Sequence, residues 1–197
     1  MARKRIFILD GHPAETSLSG TFARDYADAA TAAGHEVRVA HLSALDFDTD
    51  FGAGSYASPK PLEPALAAIA ADIAWSEHVV LATPMWWGGI PAKLKGLFDR
   101  VLLPGHAFDT RRTNALGMPA PLLGGRTGRI LLTSDTPGWF LRLAYGNAIV
   151  RQLRHQVFGF VGIRPARVSH FSGASHPRTG MVDRWRGQVR RIGRAAA

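Results

Sequence analysis

Hydroxyl side chains cluster directly after the first apolar stretch of the chain, in the segment 11–20. Thr16, Ser17 and Ser19 lie at the start of a predicted helix, where free N–H groups and the positive end of the helix dipole attract anions. We therefore predict that a phosphate group binds here. The alternative, that Ser17 or Ser19 only caps the helix, fits the spacing equally well. The chain contains neither the glycine-rich dinucleotide fingerprint nor a Walker phosphate loop.

Two adjacent tryptophans, Trp86 and Trp87, are followed by Gly88 and Gly89. Planar side chains beside a backbone without side chains allow a flat ligand, such as an isoalloxazine ring, to approach closely. In the alternative interpretation, one tryptophan packs under a sheet and the other covers a neighbouring helix. The segment 83–91 is therefore either a binding site for a flat ligand or a pair of packing residues.

A third polar segment follows the apolar run 129–133. Thr133, Ser134 and Thr136 offer hydrogen-bonding groups that suit the edge of a heterocycle. The same segment, with Asp135 before Thr136, also fits an ordinary Asx-type turn. Both interpretations place polar groups directly after a strand.

The pattern of apolar residues indicates that strands and helices alternate. Strands are predicted at 6–9, 37–39, 78–82, 129–133 and 167–171, and helices at 18–33, 62–73, 91–101, 141–157 and 181–192, with loops at 46–61 and 104–128. Such alternation is typical of a doubly wound parallel sheet, whose ligands bind beyond the carboxyl ends of the strands. We therefore expect the three polar segments to converge on one site.

Composition sets further limits. The 197 residues predict a single domain, 1–197, and the absence of Cys excludes disulfides, thiolate nucleophiles and Cys-ligated metals, so no metal site is predicted. No apolar run suits a signal peptide or a membrane span, so a cytoplasmic location is expected. Residues 1–99 carry 8 Lys and Arg against 12 Asp and Glu, whereas residues 100–197 carry 16 against 3. This asymmetry favours an anionic partner, but no nucleic-acid recognition pattern accompanies it, and no nucleic-acid partner is predicted.

Three stretches resemble a known family: 11–19, 42–47, and above all 83–101, with its sequence TPMWWGGIPAKLKG followed by FDRV. The chain from about Ile6 to Gly173 is similar to the flavodoxin-like NAD(P)H:quinone oxidoreductases, which include ancillary flavoproteins of potassium efflux systems. The resemblance implies a flavodoxin-like, doubly wound, five-stranded parallel sheet of order 2-1-3-4-5, with helices on both faces.

The resemblance also implies a function. It indicates two-electron reduction of quinones or related electrophiles, with FAD or FMN as cofactor and NADPH or NADH as electron donor, in a homodimer. The alternative is a regulatory, redox-sensing subunit of a membrane potassium efflux transporter. By matching motifs, the resemblance implies that the flavin phosphates are bound by His12, Thr16, Ser17, Leu18 and Ser19, and the isoalloxazine ring by Pro84, Met85, Trp86, Trp87 and Gly88.

The third segment departs from the family pattern. Thr133, Ser134, Asp135 and Thr136 stand where the family usually has Thr-Thr-Gly-Gly. A carboxylate near the pyrimidine edge would disfavour an anionic reduced flavin, so Asp135 points away, caps the next helix, or marks a differently tuned subfamily.

Residues on the substrate side are less well defined by the resemblance. Phe108, Trp139 and Phe140 are the candidates for the second wall of the slot. The catalytic candidates are His106, which stands where the family has substrate-side residues, and Tyr145, the tyrosine nearest to the position of the family's Tyr, where this chain has Leu141.

Overall fold

A computed structural model describes residues 2–52, 55 and 58–197. In these residues the strands are β1 Arg5–Asp10, β2 Glu36–His41, β3 His78–Pro84, β4 Phe108–Thr113, β5 Pro119–Pro121, β6 Thr127–Ser134 and β7 Ala166–Ser172. Five of them form a parallel sheet in the order β2-β1-β3-β6-β7. Its central strand β3 is buried along its whole length, as expected for a strand covered on both faces. The predicted α/β class is therefore confirmed.

The predicted strand order 2-1-3-4-5 is not matched as numbered. Inside the connection 104–128, which was expected to be a loop, β4 and β5 pair in an antiparallel hairpin. These two strands precede β6 and β7 in the chain and shift their numbers. The sequence signal for the hairpin is weak, because β4 contains adjacent arginines and β5 is a three-residue segment with two prolines.

Helices cover both faces of the sheet. Their bounds are α1 Leu18–Ala32, α2 Pro64–Trp75, α3 Ala92–Val101, α4 Gly138–Leu143, α5 Ala148–Arg151, α6 Gly159–Val161 and α7 Met181–Ala195. On one face α1 packs closely against α7, so that a Cβ on Gly193 would lie 2.7 Å from the carbonyl oxygen of Tyr26. On the other face, α2, α3 and the segment from α4 to α6 enclose the larger apolar core.

The continuous helix predicted at 141–157 is wrong. The chain turns between α4 and α5, where Gly146 (φ 56°) and Asn147 (φ 53°) both adopt left-handed backbone conformations that end a right-handed helix. The stretch Gln152–Phe158 then winds as a π-helix. Apolar spacing alone did not reveal this break, because residues before and after the turn face the same core.

The structure describes only part of the loop predicted at 46–61, because residues 53, 54, 56 and 57 lie outside the described residues. Arg100 holds the two ends of this loop, because its guanidinium donates to the carbonyl oxygens of Asp48 (2.6 Å) and Pro61 (2.8 Å) and to the carboxylate of Glu63 (2.7 Å).

Within the described part of the chain, no helix combines the length and the apolar character needed to cross a bilayer.

Candidate functional site

The segments that follow β1, β3 and β6 meet at the carboxyl edge of the sheet. The Ser19 and Thr133 hydroxyl oxygens lie 3.3 Å apart, which connects the start of α1 with the end of β6. The Met85 N–H donates to the Thr133 carbonyl oxygen at 2.8 Å and holds the segment after β3 beside it. The predicted convergence of the three segments is therefore observed.

The first segment presents its donors at the amino end of α1. Ser17 is the N-cap, and its hydroxyl oxygen accepts the Gly20 N–H at 2.9 Å. Ser19 does not cap the helix, because its side chain is buried against Thr133. The N–H groups of Leu18 and Ser19, in the first turn, have no acceptor within the helix and are suited to an anion.

His12 lies at the entrance of this segment. Its Nδ1 accepts the Ala14 N–H at 3.0 Å, which leaves the proton of the neutral ring on Nε2, where it can be donated to a ligand. The ring also meets Trp86 edge to face, with centroids 5.4 Å apart. The buried carboxylate of Asp10, directly behind, accepts the His12 N–H and lies 3.2 Å from Nδ1 of His41. Asp10 is thus occupied by protein donors.

The tryptophan segment forms a tight turn. Trp86 and Gly89 exchange both backbone hydrogen bonds at 2.9 Å, and Trp87 (φ 51°) and Gly88 (φ 75°) form the corner. Trp87 is fully exposed and Trp86 is 44% exposed, so the interpretation that one tryptophan packs under the sheet while the other covers a neighbouring helix is wrong. Left-handed backbone at a bulky residue is strained, and such strain is concentrated at functional sites.

The third segment is braced by β7 and the connection that follows it. Ser134 Oγ lies 2.7 Å from Nε2 of His170, and burial lowers the pKa of that histidine. The Asp135 carboxylate accepts the N–H and the hydroxyl of Ser175, both at 2.7 Å, and these bonds lower its pKa. Asp135 therefore points toward Ser175, and it does not cap α4, which begins after Pro137 without a side-chain cap.

The aromatic residues of α4 and the turn after it form a row. Trp139 and Tyr145 each meet Phe140 edge to face, at centroid distances of 5.5 and 5.3 Å, and all three rings are partly or largely exposed. Tyr145 also borders a cavity of about 420 Å³ that reaches Gly88. The row therefore lies within reach of the tryptophan turn.

Two predicted substrate-side residues lie elsewhere. Phe108 packs on Phe160, with centroids 5.2 Å apart, in an adjoining apolar groove that does not include Tyr145. His106 lines a different apolar groove beside α2. His106 is not brought together with the three converging segments, whereas the groove of Phe108 also includes Ile90, near the end of the segment that follows β3.

Sequence reasoning missed His170, Ser175 and the left-handed turn at Gly146. His170 was assigned only to a strand, and no local pattern connects it to Ser134. The Gly-Asn pair at 146–147 was the available signal, since both residues tolerate positive φ.

The donor set fits a flavin nucleotide. The amino end of α1, together with His12, suits a phosphate group, and the two exposed tryptophans suit a planar ring. In the part of the chain that the structure describes, the N–H groups of Trp87 and Gly88 make no protein hydrogen bond and can meet polar atoms of such a ring. The nearby carboxylates, Asp10 and Asp135, are both engaged by protein donors.

Comparisons with known proteins agree with the fold. The sequence model of a family described as having a flavodoxin-like fold matches residues 4–189. FMN-dependent NADH:quinone oxidoreductase 2 of Bradyrhizobium diazoefficiens is 32% identical over 128 residues, which cover 64% of this chain and 60% of that protein. The chain spans between 21% and 60% of the length of the first three curated relatives it matches.

Solved structures are similar over nearly the whole chain. An NAD(P)H:quinone oxidoreductase from Methanothermobacter marburgensis has a TM-score of 0.79 at 21% identity and covers 98% of this chain and 96% of its own. An FMN-dependent NADH-azoreductase from Bacillus anthracis has a TM-score of 0.74 at 16% identity, covering 98% and 99%. At such identities the likeness establishes the fold alone. Because the family model matches most of its residues, the chain belongs to the family of proteins with a flavodoxin-like fold.

Proposed function

We propose that this chain is a flavin-dependent NAD(P)H oxidoreductase that reduces quinones or related electrophilic acceptors by two electrons. The observation that carries the proposal is the meeting of the α1 amino end with an exposed, strained tryptophan turn, joined by the contact between His12 and Trp86. One part suits a phosphate and the other a planar ring, as one flavin nucleotide requires. In this proposal residues 1–197 act as one flavin-binding domain.

FMN is the proposed cofactor and NADH the proposed electron donor. The names of relatives and of a structural neighbour support both choices, since they include FMN-dependent NADH:quinone oxidoreductases and an FMN-dependent NADH-azoreductase. When bound, FMN supplies the redox chemistry by accepting a hydride from the nicotinamide and passing it to the acceptor.

Each converging segment has a proposed task. The phosphate is held by His12 Nε2, by Thr16 and Ser17, and by the N–H groups of Leu18 and Ser19. The isoalloxazine ring lies along Pro84, Met85, Trp86, Trp87 and Gly88. Its pyrimidine edge meets Thr133, Ser134, Asp135 and Thr136, with Asp135 contributing through its backbone because its carboxylate is bonded to Ser175.

The second wall of the slot is proposed to come from Trp139 and Phe140, with Tyr145 at its rim. These rings are exposed in a single chain, so a second copy is proposed to cover the slot and exclude water from it. His106 and Phe108 remain candidates only for contacts outside this slot, since each lines a separate groove.

Reconstitution tests the proposal. The apo-protein is titrated with FMN, FAD and riboflavin while flavin fluorescence is followed, and the loaded protein is then mixed with NADH or NADPH without oxygen. We expect FMN to bind, NADH to bleach its visible absorbance, and a quinone to restore the absorbance. A protein that retains no flavin, or flavin that neither NADH nor NADPH bleaches, would refute the proposal.

A variant pair tests the phosphate assignment within the same titration. His12→Ala removes the Nε2 donor, so we expect about tenfold weaker binding of FMN and unchanged binding of riboflavin, which has no phosphate. His155→Ala, at an exposed histidine of the π-helical stretch, is the matched control and should bind both flavins as the native chain does. Equal losses for FMN and riboflavin in His12→Ala would remove His12 from the phosphate site.

No observation on residues 2–52, 55 and 58–197 favours the regulatory alternative at a potassium efflux transporter. The cytoplasmic location and the absence of a nucleic-acid partner stay predictions.

A further inference from the structure

A polar cavity of about 420 Å³ adjoins the tryptophan turn. It is lined by Gly88 of that turn, by Tyr145 and Gly146 of the connection between α4 and α5, and by Arg151, Gln152 and Gln156. Gly88 belongs to one wall of the proposed slot, and Tyr145 lies at the rim of the other. The cavity is therefore continuous with the place where a second flat ligand would lie.

Arg151 gives this cavity a positive charge. It is exposed, and it makes no ion pair or side-chain hydrogen bond with the residues that the structure describes. The lining contains no carboxylate. Between Asp135 and Asp183 the chain has no acidic residue, so no acidic neighbour in this segment offsets the charge.

The backbone around the cavity is unusual on both sides. Gly146 and Asn147 are consecutive left-handed residues, and they direct Tyr145 to the rim. Arg151 ends α5, and the π-helix that begins at Gln152 brings Gln152 and Gln156 to the same wall. Strained turns and π-helical windings are found preferentially at functional sites. Regular apolar packing alone does not require either feature.

The adjoining groove gives a contrast. It shares Gln152 and Gln156 with the cavity but is lined mainly by apolar side chains, including Phe108 and Phe160. Its charged residues, Lys95 and Asp99, are bonded to each other. Among the described residues that line the cavity and the groove, Arg151 is therefore the cation without an ion pair.

We propose that the cavity is a subsite for an oxyanion carried by the ligand in the aromatic slot, with Arg151 as its specificity-determining cation and Gln152 and Gln156 as amide donors. This proposal rests on the proposed oxidoreductase function. The oxyanion comes either from a carboxylate or sulfonate on an aromatic acceptor or from a phosphate of the nucleotide donor. Arginine suits both because its guanidinium donates two parallel hydrogen bonds to an oxyanion.

The kinetic test compares Arg151→Gln with Arg154→Gln, a control at another exposed arginine of the same segment that does not line the cavity. The acceptors are anthraquinone-2-sulfonate and its uncharged 2-hydroxymethyl analogue, with NADH as donor. We expect Arg151→Gln to raise the KM for the sulfonate about fivefold to tenfold and to leave the uncharged quinone unchanged. A rise confined to the KM of NADH would also support the subsite and would identify the donor phosphate as the oxyanion.

A binding measurement keeps this test independent of activity. Calorimetric titration of the apo-protein with naphthalene-1-sulfonate, which undergoes no redox reaction with this protein, should give weaker binding to Arg151→Gln than to Arg154→Gln. Equal binding and equal kinetic constants in the two variants would overturn the subsite. If no flavin binds but the sulfonate still distinguishes the variants, the oxidoreductase proposal fails while the anion site stands.

Discussion

Replacing Trp87 by Asn should stabilise the fold and weaken ligand binding at the same time. Trp87 and Gly88 form a two-residue turn in which both residues have positive φ, a geometry that favours Asn-Gly. A bulky L-residue in the left-handed region costs about 1–2 kcal/mol. Since the Trp87 side chain is fully exposed, its removal exposes no buried apolar surface. The expected net effect is about 1 kcal/mol of added stability in the apo-protein.

The assay combines unfolding with flavin binding. For a chain of this size, about 1 kcal/mol corresponds to a rise in Tm of about 2–4 °C, which calorimetry or circular dichroism of the apo-protein resolves. FMN titration of the same variant should give an affinity lower by about twofold to tenfold, because an aromatic stacking contact contributes about 0.5–1.5 kcal/mol. The two changes have opposite signs, as expected where a site retains strain for function.

Leu116→Asn is the matched control. Leu116 is 87% exposed in the connection between β4 and β5, so its replacement should change stability by less than about 0.5 kcal/mol and leave FMN binding unchanged. If Trp87→Asn destabilises the apo-protein instead, the indole makes a stabilising contact, with the chain itself or with a second copy. Backbone strain at Trp87 would then not limit the stability of the fold.

Two further predictions concern stability. Burial lowers the pKa of His78 to about 3, and its ring nitrogens lie 2.9 Å from the Tyr26 hydroxyl and 2.6 Å from that of Thr127. Below pH 6.5 the His78 ring takes up a proton in the unfolded chain but stays neutral in the folded chain, so protonation favours unfolding. Urea unfolding should therefore show that the free energy of unfolding falls by about 2 kcal/mol from pH 7.5 to pH 5.0, and that His78→Gln lacks this fall. An equal loss in both proteins would mean that His78 is charged in the fold. Ser17→Ala should lower the unfolding free energy by about 1 kcal/mol because the Gly20 N–H loses its acceptor. The control Thr16→Ala, at an exposed neighbour, should have little effect. Equal unfolding free energies for the two variants would show that the Ser17 side chain does not stabilise α1 as its N-cap.

The parts of the fold that the sequence predicted are those with a strong local pattern. The runs that became β1 and β3 are apolar and end in turn residues, and the stripe of α1 ends before Gly34, whose φ of 86° stops the helix. The types of their side chains also identified the three polar segments. Their convergence could be predicted because parallel strands bring their carboxyl ends to one edge of the sheet. The hairpin of β4 and β5 could not be predicted, because neither segment shows the alternation of polar and apolar residues that indicates a strand.

Within the site, sequence reasoning found side chains but not their orientations. The spacing allowed Trp87 to be buried or exposed, and the choice depends on the sign of φ at two corner residues. Asp135 looked like an unfavourable charge until the fold paired it with Ser175, which is 40 residues later in the chain. The cavity beside Arg151 depends on the turn at Gly146, which an apolar pattern does not record.

The contacts that brace the segment after β6 also protect backbone amides of the connection between β7 and α7 from hydrogen exchange with solvent. Ser134 and Asp135 together accept three consecutive backbone N–H groups, those of residues 173, 174 and 175, in the connection between β7 and α7. Deuterium can enter these amides only when the two segments separate. A ligand that holds the segment after β6 therefore slows amide exchange at 173–175 without touching those residues, so a peptide from this connection reports on occupancy of the site from behind it.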